Sequence, residues 1–211
     1  MAWVGTTTWT ALLVILRALV GESAAAYTDA NLLACANAAI LSARGKLFIP
    51  RTRADLAVVT GTIRYPIPCD FAYIDEVRTK TGARLPDYAW ELALSVDGCD
   101  CDAEIIFNSS IYATVTGTNP TLHGWKAQPV LAGTGTEYVS IDMNYVLHET
   151  LAYAHSSLGA GSSEWATWHA SEHGKHATLA QDALKNAMGM GIYRPGPLSR
   201  QVPGRISGQP A

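Results

Sequence analysis

From Ala30 to Ala43 the chain carries no charged side chain. The run is rich in Ala and Leu, the strongest helix formers. Thr28 or Asp29 before it can accept the first backbone N–H groups as an N-cap, and Gly45 after it is suited to ending a helix, so the spacing predicts a helix from Ala30 to Arg44. A helix at the surface of a monomer shows a polar face, yet the only polar side chains here are Asn31, Asn37, Ser42 and the Cys35 thiol. Burial nearly all round is therefore expected, and much of residues 1 to 45 with it. Two arrangements meet that requirement: a central core helix, or a helix with its own bundle on one side and a second copy of the chain on the other. The second makes Leu32, Leu33, Asn37, Ile40 and Leu41 subunit-interface residues. Composition leans toward interfaces as well, because 16% of the 211 residues are charged against roughly a quarter in an average domain.

Other helices follow from the same reasoning. Thr6, Thr7 and Thr8 offer caps to a helix through Trp9, Leu12, Leu13, Ile15, Leu16, Leu19 and Val20, which Gly21 is placed to stop. Helical spacing returns from Tyr145 to Leu158, breaks at Gly159-Ala160-Gly161, and resumes behind Ser162 or Ser163 through Trp165, Trp168, Leu179, Ala183, Leu184 and Met188. Between these pairs, strand patterns dominate. Ala57 to Thr60 and Thr62 to Tyr65 flank Gly61, and Phe71 to Thr79 sets Tyr73, Asp75 and Val77 against Ala72, Ile74 and Glu76. Further strands are expected at Glu104 to Asn108, Ile111 to Thr116 and Tyr138 to Met143, with one or two helical turns in Asp87 to Ser95. Gly117 to Glu137 reads as a loop, and a loop that long inside a compact domain is as a rule functional or mobile.

After Met190 the chain holds Pro195, Pro197, Pro203 and Pro210 with Arg194, Arg200 and Arg205 and no acid. Such a segment builds no core of its own, and it is expected to be mobile in the free chain and extended along a partner, with Ile192, Tyr193 and Leu198 as apolar anchors beside the three arginines. The fold class is α+β. A bundle of about four helices, two N-terminal (1–46) and two C-terminal (146–190), carries an inserted small antiparallel β region (47–145, with its loop 117–137) and ends in an extended basic tail (191–211).

Several chemistries are excluded. Fifteen basic against 18 acidic side chains give a net charge of -3, too little positive charge for tight binding to duplex DNA. The most apolar stretch, Trp9 to Val20, contains Arg17 and is too short to span a bilayer, and no basic residue precedes it as in a signal peptide. Cys35, Cys69, Cys99 and Cys101 have neither zinc-knuckle spacing nor the pattern of a disulfide framework. His169, His173 and His176 share a helix face, but residues seven apart lie about 10.5 Å apart along the axis, while zinc holds nitrogen at about 2.0 Å. They read as a polar stripe facing solvent or a partner, and the competing reading is a small metal-dependent enzyme built on that stripe. His148-Glu149 begins a zincin motif but Ala152 stands where its second His belongs. No nucleophile elbow or phosphate-binding loop is present, and Asp75, Glu76, Asp100 and Asp102 read as surface charges. No catalytic residue, metal or cofactor is expected, and the chain is read as no enzyme.

The order of elements and several short motifs resemble the head-to-tail adaptor, or head-completion, proteins of tailed bacteriophages. The likeness lies in Tyr27-Thr28-Asp29-Ala30-Asn31-Leu32-Leu33, in Tyr65, Pro68, Asp70, Phe71 and Val77 around a turn and strand, and in Asn119-Pro120-Thr121 and Met143-Asn144-Tyr145 before two closing helices. In the central motif Pro68 restrains a turn, Asp70 is expected to accept backbone N–H groups, and Phe71 to plug the sheet against the helices. The insertion from Val96 to Ser110 and the three-His stripe depart from the family. The resemblance implies a structural virion protein assembled in the bacterial host cytoplasm: a homo-oligomeric, twelve-fold ring with the portal protein above and a tail or neck protein below. Genomic DNA would pass its lumen without sequence recognition, no membrane would be involved, and Ile192, Tyr193, Arg194, Leu198, Arg200 and Arg205 would dock on the portal or a neighbour. A neck or tail-completion protein of the same particle is the alternative.

Overall fold

The structure is a computed structural model that describes residues 7–20, 27–53, 56–94, 103–108, 115, 117, 119–159, 165–191, 195–196 and 199–203. In chain order its elements are β1 (Thr7–Thr8), α1 (Trp9–Val20), α2 (Asp29–Ala43), β2 (Ile49–Arg53), β3 (Arg64–Pro66), β4 (Tyr73–Arg78), a 3-10 turn (Asp87–Ala89), β5 (Trp90–Leu94), β6 (Ala103–Phe107), β7 (Thr121–Lys126), β8 (Tyr138–Val139), α3 (Met143–Gly159), α4 (Ala166–Gly189) and β9 (Arg200–Gln201). The chain is thus mixed α and β, with four helices and three antiparallel sheets among the described residues. It divides into two compact units. Residues 1–47 and 128–193 form a helical one, and residues 48–127 and 194–211 a β-rich one.

In the helical unit, α1 starts where the Thr8 hydroxyl accepts the Ala11 N–H at 3.2 Å. Trp9, Leu12, Leu16 and Val20 turn inward at helical spacing. The Thr28 hydroxyl caps α2 by accepting the Asn31 N–H at 3.2 Å, and Gly45 follows with the positive φ of 79° that suits a helix end. Burial on α2 is one stripe, Leu32, Ala36, Ala39, Ile40 and Ala43, and not the all-round burial expected from its composition. Ala30, Asn31, Ala34 and Leu41 are exposed. On α1 likewise Val14, Ile15 and Leu19 face out, so much of this N-terminal region is surface. The strand expected from Tyr138 to Met143 stops at Val139, because the Asp142 carboxylate accepts the Tyr145 N–H at 2.9 Å and starts α3. α3 packs against α4, α2 and α1, and β1 pairs antiparallel with β8, Thr7 opposite Val139.

In the β-rich unit one sheet runs β2-β7-β4-β9 and a second β3-β6-β5, all antiparallel. β7 overturns the loop reading of 117–137, since Thr121–Lys126 is a central strand flanked by β2 and β4. Gly124 had disguised it. A Cβ at that position would lie 2.0 Å from the Tyr73 carbonyl oxygen, so the close approach of two backbones demands glycine in a strand otherwise read as broken. β2 accepts Pro50 because it is an edge strand. Ala57 to Thr60 joins no described ladder, and Asp87 to Ser95, expected as one or two helical turns, yields a single 3-10 turn and then β5. The strand expected at Ile111 to Thr116 falls almost wholly outside the described residues. Core side chains include Phe71, Ile74, Val77, Trp90, Ile105, Phe107, Leu122 and Val202.

The alternation expected in β4 breaks at Asp75, where the pairing with β7 shifts register between Ile74 and Glu76. This bulge adds one residue, so Ile74 and Val77, three apart, both face the core. It also takes Asp75 out of the class of plain surface charges. Its Oδ2 accepts the Trp125 indole N–H at 2.6 Å, and its Oδ1 accepts the Ser199 hydroxyl.

Candidate functional site

The motif residues Tyr65, Pro68, Asp70, Phe71 and Val77 all have a structural task. The Tyr65 hydroxyl accepts the Val59 N–H at 3.0 Å and reaches the carbonyls of Thr62 and Val59 at 2.5 and 3.1 Å. Pro68 opens a turn closed by the Phe71 N–H on its carbonyl at 3.1 Å. Asp70 does not take backbone N–H groups as expected, but pairs with Arg51 of β2 at 2.7 Å. Phe71 and Val77 are fully buried in an apolar cluster drawn from the β-rich unit, which replaces the expected packing of Phe71 against helices. Cys69 in this turn is disulfide-bonded, although the cysteine spacing signalled no disulfide framework, and its partner sulfur lies outside the described residues. Pairing needs Cα atoms roughly 4.4–6.8 Å apart, which only the fold decides. Cys35 is a free thiol whose pKa burial raises.

The C-terminal segment is not free for a partner where it is described. β9 adds to β4 as an antiparallel strand, and Val202 is completely buried. Arg200 lies 4.2 Å over the Trp90 ring and donates to the carbonyls of Trp90 and Asp87 at 2.7 and 2.6 Å. Arg200, expected to dock on a partner, is thus engaged within its own chain through two of its N–H groups and the Trp90 ring. Prolines do not prevent strand addition here: Arg200 and Gln201 lie between Pro197 and Pro203 and keep their ladder groups. Ile192, Tyr193, Arg194, Leu198 and Arg205 lie outside the described residues.

Of the proposed interface residues, Leu32 and Ile40 are entirely buried within the chain and present nothing to a neighbour. Asn37 clamps a loop, donating to the Leu131 carbonyl at 2.9 Å and accepting its N–H at 2.7 Å. Leu33 is half-buried with its tip against Gly133. Leu41 remains exposed, and a wider apolar surface lies on α1, where Val14 is 64% and Leu19 48% exposed with Ile15 between them. Ala11, Val14, Ile15, Ala18 and Leu19 fall on one side of that helix, opposite its buried stripe. Sequence reasoning missed it because both faces of α1 are apolar.

The three-His stripe of α4 does not face solvent. His169 and His176 are buried, and His173 donates Nδ1–H to the Ala152 carbonyl at 2.9 Å. They face α3, which supplies His148 and His155 at the same seven-residue spacing. Nδ1 of His148 is 3.1 Å from Nδ1 of His176, and Nδ1 of His155 is 3.1 Å from Nδ1 of His169. The rings stack between the pairs as well, His155 and His176 lying 5.7 Å apart and nearly parallel at 5°. The result is a column of alternating helix origin: His148, His176, His155, His169. Burial, with His176 and His169 adding to it, pushes the His155 imidazole down to about 4. Burial first, then neighbouring charge, also lowers His148 and His176. Repetition of His at 148, 155, 169 and 176 was the signal available in the sequence.

Among the described residues no group of three or more His, Cys, Asp or Glu side chains is placed to hold one metal ion, and no helix is long and apolar enough to cross a membrane. Beside the column, the Ser42 hydroxyl contacts the Tyr145 hydroxyl and reaches Glu149 at 3.4 Å, and burial pushes the Tyr145 phenol up to about 12. A phenol held neutral and bonded to main chain locks α2 to α3. Compared with known family models and with curated proteins, the chain matches none.

Proposed function

We propose that the chain is a structural protein of a tailed-phage particle, a head-to-tail adaptor that forms a ring, extends the DNA channel below the portal and receives the tail. The observation that carries this reading is the outward apolar face of α1, Val14, Ile15 and Leu19, joined by Leu41 of α2 as a further exposed leucine. Monomeric proteins scatter such residues, while a continuous stripe marks an interaction site. A ring offers each copy a neighbour to cover it. The low charged fraction and the motif resemblance around Tyr65 to Val77 support the same reading, and the net negative charge suits a lumen that lets phosphates slide past. Assembly, and not a reaction, is the proposed activity.

Native mass spectrometry and particle composition test it. Wild-type protein is expected as a ring and as a component of purified virions. Val14→Asp with Leu19→Lys is expected to give a folded chain that no longer forms the ring, since surface changes usually alter stability by only about 0.5 kcal/mol. A variant that assembles like wild type would remove the α1 interface, and a monomeric wild type absent from particles would remove the adaptor reading.

A further inference from the structure

We propose that the column His148, His176, His155 and His169 is an acid-labile clasp between α3 and α4: neutral imidazoles hold the two helices together, and protonation of the column pushes them apart. The inference stands on contacts within the helical unit and does not depend on the adaptor reading.

Geometry dictates the direction. Each 3.1 Å Nδ1 to Nδ1 contact needs one N–H and one lone pair, so each pair contains at least one imidazole deprotonated at Nδ1. The Nε2 of His155 is buried and meets no hydrogen-bond partner among the described residues. Neutral His155 is therefore assigned as the Nδ1–H tautomer, leaving Nε2 as a bare acceptor, which is cheaper than an orphaned donor. Protonation would place an N–H at that nitrogen with no acceptor for it among the described residues. Its charge would also lie against the parallel His176 ring and the tilted His169 ring 5.4 Å away.

Among the described residues, the charged and titratable groups around His148, His155 and His176 do not outweigh the cost of burying their charge. From the segment before α2, the Tyr27 hydroxyl reaches Nδ1 of His155 at 3.5 Å, and a phenol is no counter-ion. From α4, Glu172 lies 3.5 Å from Nε2 of His176 and favours charge on His176 and His155, but it is also held by Lys175 at 3.0 Å and is outweighed by burial. Lys175 itself disfavours charge on His148 and His176, and His173 disfavours it on His155. At the outer end His148 lines a groove with Asp142, Asp182 and Lys185. Asp182 is paired with Lys185 at 3.7 Å, and the Asp142 carboxylate caps α3. Tyr153 and Glu149 on α3 sit beside Tyr145 and Ser42.

The sign follows from linkage. Folding lowers the His148, His155 and His176 imidazoles below their ordinary value of 6.5, His155 to about 4, so between those limits the unfolded chain binds more protons than the folded one. Stability therefore falls as pH drops through that window and is unaffected by these three groups above it.

Urea unfolding of the full-length protein, followed by the fluorescence of Trp168, whose ring is 5.2 Å from His155, tests the clasp. The wild-type midpoint is expected to fall steadily from pH 6.5 to 4.5, while His155→Leu with His176→Leu loses at least half of that slope and His123→Gln, in the β-rich unit, loses none. Equal slopes in wild type and the double variant would overturn the proposal. Should the double variant fail to fold, proton NMR of the wild type decides: a His155 ring that titrates near 6.5 sinks the clasp, and one that stays neutral down to about pH 5 upholds it.

Discussion

The two units fill their interiors differently. Every buried polar side chain among the described residues, Gln128, Thr150, His155, His169 and His176, belongs to the helical unit, whereas the β-rich unit closes on aliphatic and aromatic groups alone. In the β-rich unit polar chemistry stays outside the fully buried core, in Trp125 on Asp75, Ser199 on Asp75 and Arg51 on Asp70. An apolar core responds to volume and is indifferent to pH. A core containing imidazoles responds to both, since protonation changes its charge without changing its shape. The same chain thus contains one unit with imidazoles in its core and one whose core has none among the described residues.

The largest effect that tests this contrast is Phe71→Ala. Removal of a fully buried ring is expected to cost about 3–5 kcal/mol, and by the same amount at pH 7 and pH 5 when measured by urea denaturation. A cost that varies with pH would break the contrast. Val202→Ala comes next, at about 2 kcal/mol, because a residue from the C-terminal segment is fully buried beside β4. A loss under about 0.5 kcal/mol, the usual range for surface positions, would return the segment to the role of a loose tail. The smallest is Asn37→Ala in the helical unit. Its two hydrogen bonds to Leu131 predict a loss of about 1–2 kcal/mol and faster amide exchange at Leu131. Unchanged exchange there would show that polar side chains do not tie this unit together.

Local signals were legible wherever one element's pattern suffices. The N-caps Thr8 and Thr28 and the starts of α1 and α2 were readable because capping joins residues two or three apart. The existence of β4 and β6 was readable, but not which side chains of β4 face the core, because the bulge at Asp75 breaks the alternation. β7 was not, because Gly124 is explained only by Tyr73 on another strand. The histidine stripe was seen on α4 and given to solvent, since the partners that bury it, His148 and His155, lie on a separate helix.

By itself the sequence determined the mixed α and β class, four amphipathic or apolar helices and the absence of charge over α2, because periodicity and capping are short-range properties of the chain. Tertiary structure alone decided that Arg200 and Gln201 complete a sheet begun at Ile49, that Cys69 is bonded, and that four distant imidazoles share a column. Each of these depends on which surfaces meet. That is set by burial and backbone pairing across long sequence separations, and no local pattern of residues encodes it.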